Sequence, residues 1–344
     1  MTSPAASSCR RSACGRSFPG SVAWCPTVAA GSSSISSPTS TSSSTSDATR
    51  VPGPIRTAIG LIRLSHAFPS IVNAAATGAI ATVAGAGPAT ALRLAVSMLL
   101  LQVSIGAVND LVDRPLDRGQ KPAKPLPSGL VSDGLARAWA GVTAVIGLAL
   151  ALPSGPTAIV VAGLGLGLGY AYDLRLSRTV LSWLPLALAV PLVPIYAWLG
   201  ATGELPPALV ALVPAGLLAG AGLAVGNGLV DLERDAPVGK ATIAVRIGRD
   251  RAWVAHAGAF AVAISIAVLL APASSTVNSE LLGVLRWAGI PLGAAAIAVG
   301  AGLLAGRRAS LRERGWELEA IGTASLGLGW LAGLAAASGG GVGL

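Results

Sequence analysis

Two acid-rich segments that directly follow long apolar runs constrain this chain more than any other feature. The first covers residues 109–117 and the second covers residues 227–235. Together they hold six of the fifteen acidic residues. A carboxylate at the edge of a hydrocarbon layer costs free energy unless it is paired or binds a cation, so such clusters at membrane helix ends indicate a functional site. Two clusters suggest one shared site for divalent metal.

The composition is that of a polytopic membrane protein. Of the 344 residues, 53% are hydrophobic and 11% are charged, whereas soluble domains carry about 25% charged residues. Apolar stretches of roughly 17 to 25 residues are long enough to cross a bilayer as helices. We therefore predict an all-α membrane bundle of nine transmembrane helices. The predicted spans are residues 66–86, 92–109, 134–153, 156–172, 180–200, 207–230, 252–272, 283–305 and 319–338.

The basic residues predict the orientation of the chain and argue against a nucleic-acid partner. The net charge is +9, but the 24 Lys and Arg residues do not gather into one soluble patch. Fifteen of them lie in the four loops after the even-numbered spans, and only Arg93 and Arg286 lie in the opposite loops. The positive-inside rule then places both acidic segments and the N-terminus on the cytoplasmic face of the cell membrane. An odd number of spans places the C-terminus outside.

Residues 1–50 differ in composition from the rest of the chain. Ser/Thr tracts and few large apolar residues predict a disordered N-terminal tail. All three cysteines lie in it, so the membrane body has neither a disulfide framework nor a thiolate metal site. Residues 51–344 are predicted to form one transmembrane domain, because short loops join the spans and the two acidic segments need each other to build one site.

The spacing of the first acidic segment predicts a shared helix face. Asp110, Asp113 and Asp117 stand at i, i+3 and i+7, which aligns their side chains on a helix. Pro115 disfavours helical geometry at Arg114. We therefore expect the second span to fray at that point and Asp117 to reach the site from a turn.

The second acidic segment predicts a similar face. Asn227, Asp231 and Asp235 stand at i, i+4 and i+8, on a helix that Pro and Gly at 237–239 are expected to end. Glu233 points roughly the opposite way on such a helix. We therefore expect Glu233 to lie outside the site.

Magnesium is the cofactor that the two segments favour. Mg²⁺ takes oxygen ligands and usually binds through one or two carboxylates together with substrate phosphates. Two clusters that face a shared cavity would hold such ions around a diphosphate, with the amides of Asn109 and Asn227 beside them. The candidate metal ligands are Asp110, Asp113, Asp117, Asp231 and Asp235. Five basic side chains near the segments either neutralise the remaining phosphate charge or only reflect the positive-inside rule. They are Lys121, Lys124, Arg175, Arg178 and Lys240.

Residues 109–117 and 231–242 resemble the two aspartate motifs of the UbiA superfamily of intramembrane prenyltransferases. They read N-D-x2-D-x3-D and D-x3-D-x3-G-x2-T. Residues 124–129, Lys-Pro-Leu-Pro-Ser-Gly, and residues 170–178, which begin Tyr-Ala-Tyr-Asp, are also similar to stretches of that family. The resemblance covers about residues 55 to 340. One departure is that many members have a lysine close to the position of Ser177, where this chain offers Arg178.

The resemblance implies transfer of an isoprenoid from its diphosphate to a small-molecule acceptor, with Mg²⁺ on the leaving group. The fold it implies is a helix bundle around a central apolar cavity, which would keep the allylic cation from water. Asp173 is the candidate base, with helix capping or pairing with Arg175 as the alternatives. Tyr172 is a candidate aromatic face for the cation, with membrane-interface anchoring as the alternative. Asn73 and His66 are candidate polar groups of the cavity. An aromatic quinone precursor is the first choice of acceptor by analogy with the family, and a lipid precursor remains open.

Two other functions compete with prenyl transfer. A hydrolase or cyclase of isoprenoid diphosphates would use the same aspartates with water or the substrate's own alkene as the nucleophile. A transporter is less favoured, because its charged groups are expected near the membrane midplane and the interior spans are essentially free of charge. His66 and His256 show no partner pattern for nucleophilic catalysis or for a metal site.

Overall fold

The structure, a computed structural model, describes residues 53–272 and 280–337. The predicted tail at 1–50 and its cysteines lie outside the described residues. The described residues belong to one compact unit that is helical, with no strand among them. The helices are α1 Pro54–Leu64, α2 Ala67–Val83, α3 Pro88–Gln120, α4 Asp133–Ala151, α5 Pro156–Ala171, α6 Leu184–Thr202, α7 Pro207–Ala211, α8 Val213–Val230, α9 Leu232–Asp235, α10 Ile243–Ile247, α11 Arg249–Leu269, α12 Glu280–Leu304 and α13 Ala309–Ala337.

The all-α membrane fold predicted from the apolar runs is confirmed in these ranges. Eight helices are long and apolar enough to cross a membrane, and α2, with 17 residues, is a shorter apolar helix at the place of the first predicted span. Two details differ from the expectation. The amphipathic helix α1 precedes the first span, and the span predicted at 207–230 consists of α7 and α8, separated at Leu212.

Local chain chemistry explains where several spans begin. Helices α3 and α5 start with Pro88 and Pro156, at a position where the missing N–H leaves no helical hydrogen bond unmade. Ser132 caps α4, because its hydroxyl oxygen accepts a hydrogen bond of 3.3 Å from the backbone N–H of Leu135. Gly155, which precedes α5, has a φ of +88°, a conformation that favours glycine. Short loops therefore connect neighbouring spans.

Helix α3 continues through Pro115 to Gln120 and has 33 residues, so the expected fraying at Arg114 is wrong. The side chain of Lys124 explains the continuity. Its Nζ atom lies 2.7 Å from Asp110 Oδ1 and 2.7 Å from Asp117 Oδ2, and the two acids stand on opposite sides of the proline along the helix. These ion pairs hold both turns together and offset the hydrogen bond that proline removes.

The second acidic segment is not one continuous helix, which corrects the prediction. Helix α8 ends at Val230, Asp231 has a φ of −96° and a ψ of 5°, and α9 begins at the next residue. The guanidinium of Arg312, a fully buried residue of α13, donates to the carbonyl oxygen of Val230 at 3.4 Å. This contact satisfies a carbonyl at the helix end and favours the break.

Helices α12 and α13 approach each other closely because glycines face one another. A Cβ atom on Gly289 would lie 2.7 Å from the Cα atom of Gly329, and one on Gly300 would lie 2.6 Å from the carbonyl oxygen of Gly315. Larger residues do not fit at these contacts. Small residues at membrane helix interfaces allow such packing.

Two spans carry a buried, hydrogen-bonded pair of titratable side chains, which the expectation of spans essentially free of charge did not anticipate. His256 on α11 and Glu319 on α13 are fully buried, and His256 Nε2 lies 2.8 Å from Glu319 Oε1. His256 Nδ1 lies 2.8 Å from the carbonyl oxygen of Gly222 on α8. His256 therefore has partners and joins three helices. The pairing was not visible in the sequence because 63 residues separate its members.

Candidate active site

The two acidic segments lie on the wall of one cavity of about 640 Å³. Asp113 and Asp117 of α3 line it together with Asp231 and Asp235 at the ends of α9. A hydrogen bond connects the two walls, because Gln120 Nε2 donates to the carbonyl oxygen of Arg234 at 3.5 Å. The rest of the cavity is mostly apolar and is lined between α3, α5 and α6 by Met98, Leu101, Ile105, Val161, Ala162, Leu166 and Leu192.

The wall formed by α3 is a network of buried charges. Asp110 is only 2% exposed and lies directly behind the cavity surface, where it contacts both Lys124 and His66 Nε2, the latter at 3.0 Å. Asp117 is buried and shares Lys124 with it. His66 has a φ of +46°, an unusual conformation for a residue other than glycine, and such strain often accompanies functional sites.

Lys124 lies in the loop after α3, and its ammonium group forms ion pairs with the two acids. Burial by itself lowers the pKa of Lys124, but the ion pairs with Asp110 and Asp117 outweigh burial and raise the pKa above its ordinary value. The ammonium group therefore stays charged at neutral pH. It neutralises carboxylates of the first segment, whereas the sequence suggested a phosphate as its partner.

The other wall carries acids that are each paired with a basic residue. Asp231 pairs with Arg234, and Asp235 Oδ1 lies 2.9 Å from Lys240 Nζ. Burial raises the pKa of Asp235 above its ordinary value, and Lys240 opposes that shift. Arg178 Nη2 lies 3.3 Å from Asp113 Oδ1 and so reaches the α3 wall from the loop after α5.

A short π-helical turn, Tyr172–Leu176, ends the fourth span beside the acids. Its Asp173 is 3% exposed and its Oδ1 atom accepts a hydrogen bond of 2.8 Å from Asn109 Nδ2. Its Oδ2 atom is buried without a hydrogen-bond partner. Buried polar atoms without partners are rare and call for an explanation, and Asp173 lines the cavity. Turns of this type often occur at functional sites.

Most residues singled out from the sequence reach the cavity. Those that line it are His66, Asn73, Asn109, Asp113, Asp117, Lys121, Lys124, Tyr172, Asp173, Asn227, Asp231, Asp235 and Lys240. Asp110 lies behind this wall and Arg178 reaches it through Asp113. Arg175 is exposed and does not line the cavity. Glu233 faces away as expected, because it pairs with Arg249 and Arg312.

Helix α13 contributes cavity residues that sequence reasoning missed. Glu313, Trp316 and Glu317 line the cavity, and the Trp316 ring lies 6.1 Å from the Phe68 ring of α2, measured between centroids. The helix begins at Ala309, ten residues before the predicted span. Charged residues hid this start from a search for apolar runs, although Glu313, Trp316 and Glu317 have the i, i+3, i+4 spacing of one helix face.

The acids present fit magnesium. Their oxygens are hard ligands of the type that Mg²⁺ prefers. Within residues 53–272 and 280–337, no three His, Cys, Asp or Glu side chains converge closely enough to hold a metal ion alone.

Comparison with known proteins agrees with this geometry. A family model described as the UbiA prenyltransferase family matches residues 70–321. The chain belongs to the UbiA prenyltransferase family. It is thus a membrane enzyme that transfers a prenyl group from an isoprenoid diphosphate to an acceptor. This confirms the resemblance and the reaction class drawn from the aspartate motifs.

This UbiA-family chain is similar to archaeal proteins in sequence and structure. Digeranylgeranylglyceryl phosphate synthase of Hyperthermus butylicus is 28% identical over 228 residues, which cover 62% of this chain and 74% of the relative. A UbiA homolog from Archaeoglobus fulgidus bound to GPP and Mg²⁺ has a TM-score of 0.61 and 18% identity, over 81% of this chain and 99% of that chain. The apo homolog from Aeropyrum pernix K1 also has a TM-score of 0.61, at 19% identity, over 76% of this chain and 96% of that chain. These structural likenesses show the fold.

Proposed function

We propose that this prenyltransferase binds the donor diphosphate with Mg²⁺ between its two acidic segments and holds the isoprenoid chain in the apolar part of the same cavity. One observation carries the proposal. Acids of α3 and at the ends of α9 line a single cavity whose wall between α3, α5 and α6 is mostly apolar. An amphipathic donor needs both environments in one space.

Asp113 and Asp117 would hold magnesium on one wall, and Asp231 and Asp235 on the other. Asp110 supports the first wall from behind through Lys124. Bound magnesium supplies Lewis-acid stabilisation of the negative charge that develops on the leaving diphosphate. The cavity-lining amides of Asn109 and Asn227 are in place to donate hydrogen bonds to phosphate oxygens.

Fixed cations at the polar end would balance the remaining charge of the diphosphate. Lys121, Arg234 and Lys240 line the cavity there. Preorganised cations stabilise developing charge strongly where water is excluded. Arg175 is not assigned to this group because it is exposed and away from the cavity.

Asp173 is assigned as the base. In the proposed reaction the allylic C–O bond of the donor breaks and its electron pair leaves with the diphosphate. A nucleophilic atom of the acceptor forms the new bond to the allylic carbon, and its proton passes to Asp173 Oδ2. That oxygen is buried in the cavity wall without a hydrogen-bond partner, and Asn109 fixes the other oxygen. Tyr172 lies beside it and offers an aromatic face to the cation.

We also propose that the polar end of the cavity faces the cytoplasm at the plasma membrane. The support is the charge of the loops. The loops after the second, fourth, sixth and eighth predicted spans hold fifteen basic residues, whereas the opposite loops hold Arg93 and Arg286.

The test uses the full chain in lipid nanodiscs with labelled prenyl diphosphates, candidate acceptors and magnesium. Prenylated product that disappears with Asp231→Asn and persists with Asp250→Asn supports the proposal, because Asp250 is an exposed acid of α11 outside the cavity. Release of free alcohol or cyclic hydrocarbon as the only product would favour the hydrolase or cyclase. Equal activity of both variants would show that the acidic segments do not hold the metal.

A further inference from the structure

A second chamber, of about 200 Å³, adjoins the main cavity. It lies between α2, α6, α8, α11 and α13, on the far side of α6 from the apolar wall that α3 and α5 form. The two spaces share lining residues, which form the junction between them. These are Pro69, Asn73, Leu186, Val190, Val193 and Trp316.

The second chamber offers almost no hydrogen bonds to a ligand. Its polar lining residues are Asn73, Trp316 and Thr323. Each uses its donor inside the protein: Asn73 Nδ2 bonds the carbonyl oxygen of Pro69 at 3.0 Å, Trp316 Nε1 that of Leu223 at 3.0 Å, and Thr323 Oγ1 that of Glu319 at 2.8 Å. Space with this lining suits hydrocarbon and not a polar or charged group.

We infer that the second chamber holds a hydrocarbon chain of the acceptor, so that the acceptor is an amphipathic lipid and not a water-soluble aromatic acid. The inference rests on the proposed function. Prenyl transfer brings two substrates together, and two apolar spaces meet at the junction that Asn73 and Trp316 line. The donor chain occupies the larger space between α3, α5 and α6, and Asn73 lies at the junction where the acceptor's polar end approaches the acids.

A soluble aromatic acceptor would leave this chamber without a role. Transfer of one methylene group from water into an apolar environment improves affinity by about fourfold. A chain seated in the chamber therefore gives a lipid acceptor a large advantage over an acceptor of the same chemistry without a chain. The wild-type enzyme should use chain-bearing acceptors at much lower concentration.

Matched substitutions separate the two spaces. Ala324→Leu adds bulk to the second chamber, and Gly165→Leu adds bulk to the main cavity, where a Cβ atom meets nothing within 4 Å. Gly163→Leu is the control, because it makes the same change on α5 at a residue that also has open space and lines neither chamber.

The experiment measures KM for alkyl glycerol phosphates of increasing chain length, for 4-hydroxybenzoate, and for prenyl diphosphates of increasing length. We expect KM of the wild type to fall with acceptor chain length. Ala324→Leu should raise KM for the long-chain acceptor by about 10-fold or more with the donor KM unchanged. Gly165→Leu should instead raise KM for long donors, and Gly163→Leu should change neither.

Two results would overturn the inference. One is efficient use of 4-hydroxybenzoate with no benefit from an acceptor chain, and the other is an Ala324→Leu enzyme that loses long donors and keeps its acceptor KM. Magnesium-dependent binding of the labelled donor is measured in parallel. Its absence in the wild type would contradict the proposed function itself, whereas its presence without lipid prenylation would contradict only the acceptor assignment.

Discussion

Replacement of Lys124 by methionine removes the ammonium group that contacts both Asp110 and Asp117. Both Nζ–Oδ distances are 2.7 Å. Asp110 and Asp117 are only 2% and 5% exposed. The substitution preserves an unbranched side chain of similar length and removes the charge. It therefore isolates the electrostatic contribution of the lysine to the α3 wall.

The expected loss of stability is about 3–5 kcal/mol, the cost of breaking a buried ion pair by removing one partner. Hydrogen bonds to charged groups contribute about 1.5–3 kcal/mol each, and two are lost. The carboxylates then repel by about 3 kcal/mol at roughly 5 Å and an effective dielectric constant of about 20. The exposed fraction of the Lys124 side chain, 21%, and the remaining contact of Asp110 with His66 reduce the total.

The assay is thermal unfolding followed by tryptophan fluorescence in detergent with EDTA. A loss of this size lowers Tm by on the order of 10 °C, and added Mg²⁺ should restore part of it because the ion would neutralise Asp117. Lys121→Met, which removes a cavity lysine outside this ion pair, is the control and should shift Tm little. Because the pKa of Lys124 is raised, the contribution persists at neutral pH and is lost only as pH rises through that raised pKa. An unchanged Tm for Lys124→Met in EDTA would refute the reasoning.

Three further predictions concern the reaction and the second wall. Removal of divalent ions with EDTA and the substitution Asp231→Asn should each reduce prenyl transfer by at least about 100-fold, measured as labelled product; full activity in either case would exclude the metal site. Asp173→Asn should lower transfer by about 10²–10⁴-fold and keep the donor KM, so a changed KM with normal kcat would argue against its role as base. Arg312→Gln should destabilise the chain by about 1.5–3 kcal/mol, the contribution of a hydrogen bond to a charged group, and raise the Mg²⁺ concentration needed for half-maximal rate, because Arg312 contacts Glu233 and the carbonyl oxygen of Val230; normal Mg²⁺ dependence would show that it does not position the second wall.

The spans were predictable because apolar length alone determines which segments cross a bilayer. Their ends were less predictable, because polar residues continue a helix wherever tertiary contacts support it. Helix α3 extends to Gln120 through Pro115 with the help of Lys124, and α13 begins at Ala309 among charged residues. Local propensity disfavours both extensions.

The two acidic segments were predictable as partners, because acids at membrane helix ends indicate a shared cation site. Their internal shape was not. The break at Asp231 depends on Arg312, and the pairing of His256 with Glu319 joins residues 63 positions apart. Such contacts depend on which helices become neighbours, and spacing within one helix contains no information about that. The early start of α13 could be predicted from the helical spacing of Trp316 and two acids on one face, but not from an apolar run.

The length of α3 has a mechanical consequence. At 1.5 Å per residue, its 33 residues measure about 50 Å, whereas the hydrocarbon core of a bilayer is about 30 Å thick. The last turns of α3 therefore extend beyond the hydrocarbon core and carry the three aspartates of the first acidic segment, Asp110, Asp113 and Asp117. The acids of the opposite wall lie at and after the helix break at Asp231. Because a break in a helix bends more easily than a continuous helix, we expect the second wall to adjust more than α3 when a substrate headgroup binds.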